Sequence, residues 1–106
     1  MTTLILDSAS LRATAVQVTA DALSVDLADG RSITVPLAWY PRLVHGTPAE
    51  RSHLRLIGGG EGVHWPDLDE DISIEGIVAG RPSGESQRSL QRWIETRTTS
   101  MTVSKH

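Results

Sequence analysis

A period-two alternation of apolar and polar residues constrains the fold of this chain more than any other feature of its sequence. The alternation occupies three successive segments, residues 14–20, 23–27 and 33–37. Because side chains at every second position of a strand lie on one face, each segment has an apolar face and a polar face. The pattern predicts a three-stranded antiparallel meander with one face turned to solvent.

Two turns decide the register of this meander. At Asp29–Gly30, a two-residue turn would place apolar side chains opposite polar ones on the same face. A three-residue loop, with the glycine left-handed in a bulge, instead opposes Val25 with Ile33. The sequence therefore predicts a bulged hairpin here. It also predicts a two-residue loop at Asp21–Ala22 in the preceding hairpin, which opposes Val18 with Val25.

A further hairpin is predicted in the second half of the chain. Residues 54–56 and 63–65 again alternate, and the glycine-rich stretch 58–62 between them is suited to a tight loop. A helix over residues 48–57 that ends at the first of these glycines is the competing assignment. A phosphate cradle is not indicated, because the stretch lacks a Gly-Lys-Ser/Thr ending and opens no long helix.

Helix signals occur at three places. Residues 47–50 form a capping box with proline at the first helical position. Ser73 is suited to cap a short helix over residues 74–79, which ends at a glycine. A helix is predicted over about residues 85–97, where apolar residues recur at spacings of three and four: Leu90, Trp93 and Ile94. Together with the strands, these helices predict an α+β fold.

The 106 residues are predicted to form one domain, with a loose lead-in over residues 1–11 and a disordered tail over residues 98–106. The lack of cysteine excludes disulfides and thiolate metal sites and agrees with a reducing compartment. The apolar start, residues 4–6, is too short for a signal peptide or a membrane span. A cytoplasmic location without membrane contact is therefore expected.

Charge is distributed unevenly along the chain. The formal net charge is −3, yet residues 58–80 hold six acids and no lysine or arginine. From residue 81 onward, five basic residues outnumber two acids. An acidic middle and a basic end favour attraction to each other or to a charged partner.

Four motifs follow one another closely: residues 39–43 (Trp-Tyr-Pro-Arg-Leu), 47–51 (Thr-Pro-Ala-Glu-Arg), 60–66 (Gly-Glu-Gly-Val-His-Trp-Pro) and 68–73 (Leu-Asp-Glu-Asp-Ile-Ser). In this order they resemble family two-four-four-two of the bacterial domains of unknown function, over about residues 12–81. The resemblance implies a small α+β domain without accepted catalytic residues. Members of that family resemble antitoxins: some are encoded beside a small putative toxin, and some carry an added helix-turn-helix domain.

Direct nucleic-acid binding is not expected of this chain. The segment after residue 81 has room for one helix but not for a helix-turn-helix domain. The domain is also acidic overall, although Arg42, Arg51 and Arg55 lie near two aromatic residues in the sequence.

An acidic cluster follows the second tryptophan, and its members are His64, Asp67, Asp69, Glu70 and Asp71. Three interpretations fit it: a solvated face with helix-capping carboxylates, a surface that recognises a partner, or a metal site. A calcium loop starting at Asp67 would place Ile72 where its glycine belongs, which argues against a calcium hand. No metal or cofactor is therefore predicted, and no nucleophile motif accompanies His64.

The aromatic residues allow two interpretations. Trp39, Tyr40 and Trp65 either pack in the core or, with Arg42, anchor a partner. The helix at residues 85–97 likewise docks either on its own domain or on another chain.

The leading interpretation is a non-enzymatic, antitoxin-like module that binds a small partner protein. Its predicted partner-binding residues are Trp39, Tyr40, Arg42, His64, Trp65, Asp67, Asp69, Glu70 and Asp71. One alternative is a metal-dependent hydrolase that uses His64, Asp67, Asp69 and Asp71. The other is a homodimeric regulatory protein in which a second copy covers the sheet edges.

Overall fold

The structure, a computed structural model, describes the backbone of residues 11–103 and the side chains of residues 11–97. Within these residues, six strands form two antiparallel sheets, ordered β1-β2-β3 and β4-β5-β6. The strands are β1 (Ala13–Val18), β2 (Ala22–Leu27), β3 (Ser32–Pro36), β4 (Arg55–Ile57), β5 (Gly62–Trp65) and β6 (Glu70–Ser73). The helices are α1 (Pro41–Val44), α2 (Pro48–Ser52), α3 (Ile74–Val78) and α4 (Gln87–Val103), with 3-10 turns at Leu37–Trp39 and Gly58–Gly60. The predicted α+β class is confirmed.

The first sheet is the predicted meander, and its second hairpin has the predicted bulge. Val25 pairs with Ile33, and Gly30 is left-handed with φ +95°. The backbone N–H of Leu27 donates to the Arg31 carbonyl at 2.7 Å across the base of the loop. Because glycine adopts the left-handed conformation without steric cost, the loop closes while the apolar face stays in register.

The first hairpin has the predicted faces but not the predicted register. Val18 pairs with Leu23 instead of Val25, so the loop is longer than two residues. The Thr19 hydroxyl accepts a hydrogen bond from the Ala22 N–H at 3.0 Å. The threonine side chain thus organises a turn for which an Asp-Ala pair is poorly suited. A register shift of two residues keeps the apolar side chains on the same face.

The second sheet contains the predicted further hairpin and one strand that was not predicted. β4 pairs with β5, with Arg55 opposite His64, so the competing helix over residues 48–57 is wrong. β6 pairs with the other edge of β5, with Trp65 opposite Glu70. This strand was not predicted, because it is short and half of its residues are acidic, a composition that is unfavourable in strands.

The short helices agree with their capping signals. The Thr47 hydroxyl accepts from the Glu50 N–H at 3.1 Å, and the Glu50 carboxylate accepts from the Thr47 N–H at 2.9 Å, which completes the capping box of α2. The Ser73 hydroxyl caps α3 by accepting from the Gly76 N–H at 3.0 Å. Helix α1, which starts at Pro41, was not predicted, because a proline there indicates only an end to the strand pattern.

The last helix is longer than predicted. It spans Gln87–Val103 and so continues past the predicted end at residue 97 into the segment expected to be disordered. Serine and threonine, which favour caps and turns over helix interiors, obscure the helical pattern there. Apart from the buried Leu11, the predicted lead-in lies outside the described residues, as do residues 104–106. None of the helices between residues 11 and 103 is sufficiently long and apolar to cross a membrane.

One hydrophobic core joins both sheets and the short helices. Its fully buried side chains are Leu23, Val25, Leu37, Leu43, Val63, Trp65, Leu68, Ile74 and Ile77. The indole Nε1 of Trp65 donates to the Arg51 carbonyl at 2.9 Å. A large buried ring whose polar atom is satisfied fixes β5 against α2.

Gly60 lies where the loop between β4 and β5 meets β1. It is left-handed, with φ +101°, and a Cβ added to it would lie 2.7 Å from the carbonyl oxygen of Ala13. Only glycine permits this conformation together with so close an approach of two backbone segments. The two sheets therefore meet at this point.

We expect Gly60→Ala to lower the free energy of unfolding by roughly 2 to 4 kcal/mol, because the left-handed strain and the backbone clash add. Gly30→Ala is the matched control: its φ of +95° is similar, but nothing lies within 4 Å of the added Cβ. That variant should lose only about 1 to 2 kcal/mol. Urea denaturation measures the free energy of unfolding of both variants. Equal losses would show that the close approach at Gly60 does not contribute to the cost of the substitution.

Candidate functional site

The alternation of β6 divides the acidic cluster between two faces of the second sheet. Glu70 lies opposite Trp65 and shares a face with the buried Ile72. Asp71 lies on the other face, opposite His64. Successive side chains of a strand point to opposite faces, so acids that are adjacent in the sequence occupy different environments.

Two of the acidic residues are each held by a histidine. Oδ2 of Asp67 lies 2.7 Å from Nδ1 of His53, and Asp71 forms a hydrogen bond with Nδ1 of His64. The two carboxylates remain exposed, with 43% and 68% of their side-chain surfaces accessible. His53 was not among the predicted site residues, because its contact with Asp67 depends on how α2 packs beside the β5–β6 turn.

Asp69 lies at the tip of the turn between β5 and β6. Its backbone is left-handed, with φ +52°, and its side chain is 86% exposed. Nη1 of Arg42 donates to the Asp69 carbonyl at 2.9 Å and lies 3.5 Å from its Oδ2. Residues 67–71, named the acidic turn below, therefore direct the carboxylates of Asp67, Asp69 and Asp71 outward.

Arg42 joins the acidic turn to the segment before α4. Its Nε and Nη2 donate to the Glu85 carboxylate at 2.8 and 2.6 Å, and the two side chains are only 15% and 9% exposed. The hydrogen bonds from Arg42 lower the pKa of Glu85, and those to Glu85 raise the pKa of Arg42. Both groups are therefore charged at neutral pH, which strengthens the pair.

Trp93 of α4 contacts two guanidinium groups. The Cζ atoms of Arg42 and Arg97 are 5.0 and 4.8 Å from the ring centroid, within the range of cation–π attraction. Arg97 also donates to the Glu50 carboxylate at 2.9 Å and to the Asp67 carbonyl at 3.3 Å. Helix α4 thus contacts its own domain at α1, α2 and the acidic turn.

Two of the predicted aromatic anchors are buried. Trp65 is fully buried and Tyr40 is 3% exposed, so both are core residues and the interpretation of them as surface anchors is wrong. Trp39 is half-buried and packs against the core. The parity of β5, which puts Trp65 on the same face as Val63, was visible in the sequence and favours the core position.

A cavity of about 280 Å³ lies between β6, the start of α3 and residues 81–84. Its polar lining comes from Tyr40, Glu70, Asp71, Ser73, Arg81 and Ser83. The Tyr40 hydroxyl is buried and has no hydrogen-bond partner among the described residues. Glu70 forms no salt bridge within the same part of the chain.

Burial raises the pKa of Glu70 to about 7. The charge of Arg42 opposes this effect, the carboxylates of Glu85 and Asp71 add to it, and the backbone N–H of Asp71 opposes it. Burial and the nearby charge of Glu70 raise the pKa of Tyr40. The sequence prediction grouped Glu70 with the exposed acids, although its two-residue spacing from an isoleucine indicates an inward side chain.

The residues considered for a metal-dependent hydrolase are not brought together. Asp67 pairs with His53, Asp71 pairs with His64, and Asp69 points to solvent. Among the side chains that the structure describes, no group of three or more histidine, aspartate or glutamate residues could hold a metal ion. The hydrolase alternative therefore lacks a shared set of donor atoms.

Comparison with known proteins assigns this fold to a family. The family model for "Protein of unknown function (DUF2442)" matches residues 13–83, which contain both sheets, the three short helices and the acidic turn. The chain belongs to this family. The resemblance expected over about residues 12–81 is confirmed, and the match ends before α4 of this DUF2442 protein begins.

Two solved structures resemble this DUF2442 protein. A protein of unknown function from Rhodospirillum rubrum is 26% identical, with a TM-score of 0.62 over 72% of this chain and 94% of that one. An uncharacterized protein from Chromobacterium violaceum is 22% identical, with a TM-score of 0.59 over 76% and 74%, and this likeness shows the fold alone. No curated protein matches the chain.

We expect Arg42→Ala to lower the free energy of unfolding by roughly 2 to 4 kcal/mol, because it leaves the carboxylate of Glu85 without its arginine and removes a cation–π contact of Trp93. Arg31→Ala is the control, since its pair with Asp29 is more exposed, and it should leave the urea midpoint nearly unchanged. Replacing both Arg42 and Glu85 by methionine should recover part of the loss. If the double variant loses as much stability as Arg42→Met and Glu85→Met lose together, the two residues are not coupled.

We expect Glu70 to make the protein less stable as the pH rises from about 4.5 to 7. Its pKa is about 7 in the folded protein, against an ordinary value of 4.5. The folded state thus binds the proton more tightly, and losing it favours unfolding. Relative to the wild type, Glu70→Gln should become progressively more stable between about pH 5 and pH 8 in urea titrations. The exposed control Glu95→Gln should show no such trend, and a pH-independent difference for Glu70→Gln would contradict the assignment.

Proposed function

We propose that this DUF2442 protein is a non-catalytic interaction module that binds a small, basic partner protein through the acidic turn, in the manner of an antitoxin. The observation that carries the proposal is the outward display of three carboxylates, each oriented by a different basic side chain, on Asp67, Asp69 and Asp71. A cytoplasmic location is part of the same proposal.

The fixed orientation of the carboxylates favours binding. A side chain that is already held in place loses less conformational entropy when a partner binds. Outward charges of one sign also speed the encounter with a basic surface, because electrostatic attraction acts before contact. Occlusion is the proposed mechanism: the acidic turn covers a basic site that a toxin requires for its activity.

The product of the neighbouring gene is the first partner to test. We expect it to copurify with the tagged DUF2442 protein after co-expression, and to inhibit growth when it is expressed alone. A gene product that neither copurifies nor inhibits growth would contradict the proposal.

Neutralising the acidic turn tests the surface itself. The triple variant with asparagine at residues 67, 69 and 71 should associate about tenfold more slowly with the partner at low salt, with a weaker dependence on salt. The fold should persist, because asparagine tolerates the left-handed backbone at Asp69. The control loses three charges at other exposed positions: Asp21→Asn, Glu61→Gln and Glu95→Gln. Equal slowing in both variants, measured by surface plasmon resonance, would assign the effect to net charge alone.

An exposed edge strand supports a second candidate function, that of a homodimeric regulatory protein. β4 lies at the edge of the second sheet, and none of its residues is buried. Leu56 and Ile57 are 38% and 37% exposed. An unpaired edge with apolar side chains is suited to pairing with the same strand of a second copy across a two-fold axis. Light scattering at high protein concentration decides this candidate, because a monomer excludes it.

A further inference from the structure

The cavity beside α3 holds two polar groups that partner binding at the acidic turn does not use. Tyr40 is 3% exposed, and its hydroxyl has no hydrogen-bond partner in the described part of the chain. Glu70 is half-buried at the same cavity without a salt bridge to a described residue. Buried polar groups in proteins are normally hydrogen-bonded and buried charges are normally paired, so both groups are suited to a ligand.

We propose that this cavity binds a cationic nitrogen group, an alkylammonium or a guanidinium, carried either by a small molecule or by a lysine or arginine side chain. The carboxylate of Glu70 would supply the counter-charge and one or two acceptor oxygens. The hydroxyl oxygen of Tyr40 would accept a further hydrogen bond. An ammonium has three donors and a guanidinium has five, and neither has an acceptor, which matches this pair of groups.

The charges around Glu70 favour a cation over an anion. Asp71 lines the cavity, and the charge of Glu85 also acts on Glu70. Arg42 acts on Glu70 from a distance, but its guanidinium is engaged by Glu85 and by the Asp69 carbonyl. Arg81 lines the same cavity but is exposed to solvent. Among these carboxylates, Glu70 is therefore the one that has no salt bridge to a described residue, since Asp71 is paired with His64 and Glu85 with Arg42.

The affinity of the proposed site for a cation is expected to depend on pH. A cation requires the ionised form of Glu70, whose pKa is about 7, so binding at pH 7 releases about half a proton per site. The ionised fraction rises about tenfold between pH 6 and pH 8, and the affinity should rise by the same factor. The charged and titratable groups that face Glu70 are Arg42, Glu85, Asp71 and Tyr40, with Arg81 at the rim.

Nuclear magnetic resonance titration of the whole isotope-labelled protein tests the site without a toxin, so its failure is distinguishable from failure of the proposed function. The probes are n-butylammonium chloride and methylguanidinium chloride, with sodium chloride at matched ionic strength and sodium butyrate as the anion. We expect saturable shifts of backbone amides that line the cavity, at Gly76, Ser83 and Gly84. Affinity should be about tenfold higher at pH 8 than at pH 6.

Variants link the shifts to the two groups. Glu70→Gln should abolish saturable binding and its pH dependence, Tyr40→Phe should weaken binding several-fold, and Glu95→Gln should bind as the wild type does. The amide spectrum of each variant verifies that it is folded.

Nα-acetyl-lysine methylamide identifies the source of the cation. Binding that is tighter than that of butylammonium assigns the site to a protein side chain, and weaker binding assigns it to a small amine. Shifts that sodium chloride reproduces, that persist in Glu70→Gln, or that butyrate causes at the cavity would overturn the proposal.

Discussion

The ion pair between Arg42 and Glu85 is the interaction on which the arrangement of the site depends. Arg42 belongs to α1, yet its guanidinium contacts the acidic turn, the segment before α4 and the ring of Trp93. A planar group with five donors can serve these three neighbours at once, whereas a lysine presents a single compact charge. Since the pair is almost withdrawn from solvent, its geometry fixes the segment before α4 against α1, and Arg97 adds contacts from α4 to α2 and to the acidic turn.

A second constraint acts within β6. The pleat of this strand turns Glu70 toward the core and Asp71 toward solvent, so neighbouring carboxylates of the same chemical type have different environments. The outward group is hydrogen-bonded to a histidine and exposed to solvent. The inward group lines the same cavity as the Tyr40 hydroxyl, which has no hydrogen-bond partner among the described residues. The proposed partner surface and the proposed ligand cavity therefore depend on different residues of this region, Asp71 with the acidic turn and Glu70 with the cavity.

The features that could be predicted from the sequence are those with local causes. The bulge at Gly30, the capping box at Thr47 and the cap at Ser73 each depend on side chains within a few residues of one another, and all three are present. Contacts between distant residues could not be predicted in this way. Arg42 and Glu85 are 43 positions apart, and nothing in the spacing of either residue identifies its partner.

The acidic strand β6 and its inward acid Glu70 could be predicted from the sequence only in part. The alternation that buries Glu70 is present in the sequence, but it covers only the four residues of β6, and the surrounding acids indicate a solvated turn. Tertiary packing overrides composition there, because pairing with β5 satisfies the backbone and buries Ile72. The candidate surface at the acidic turn was thus predictable from charge, whereas the cavity required the register of the sheet.

Within the described chain, every strand pairs only with strands that adjoin it in sequence. Such pairings close short loops, and the entropy lost in closing them is small. During synthesis, the first meander is therefore able to form as soon as it leaves the ribosome, before the second sheet and α3 exist to complete the core that they share with it. The time needed to translate residues 37–78, from the end of β3 to the end of α3, sets how long this nascent sheet remains exposed to chaperones and to other nascent chains.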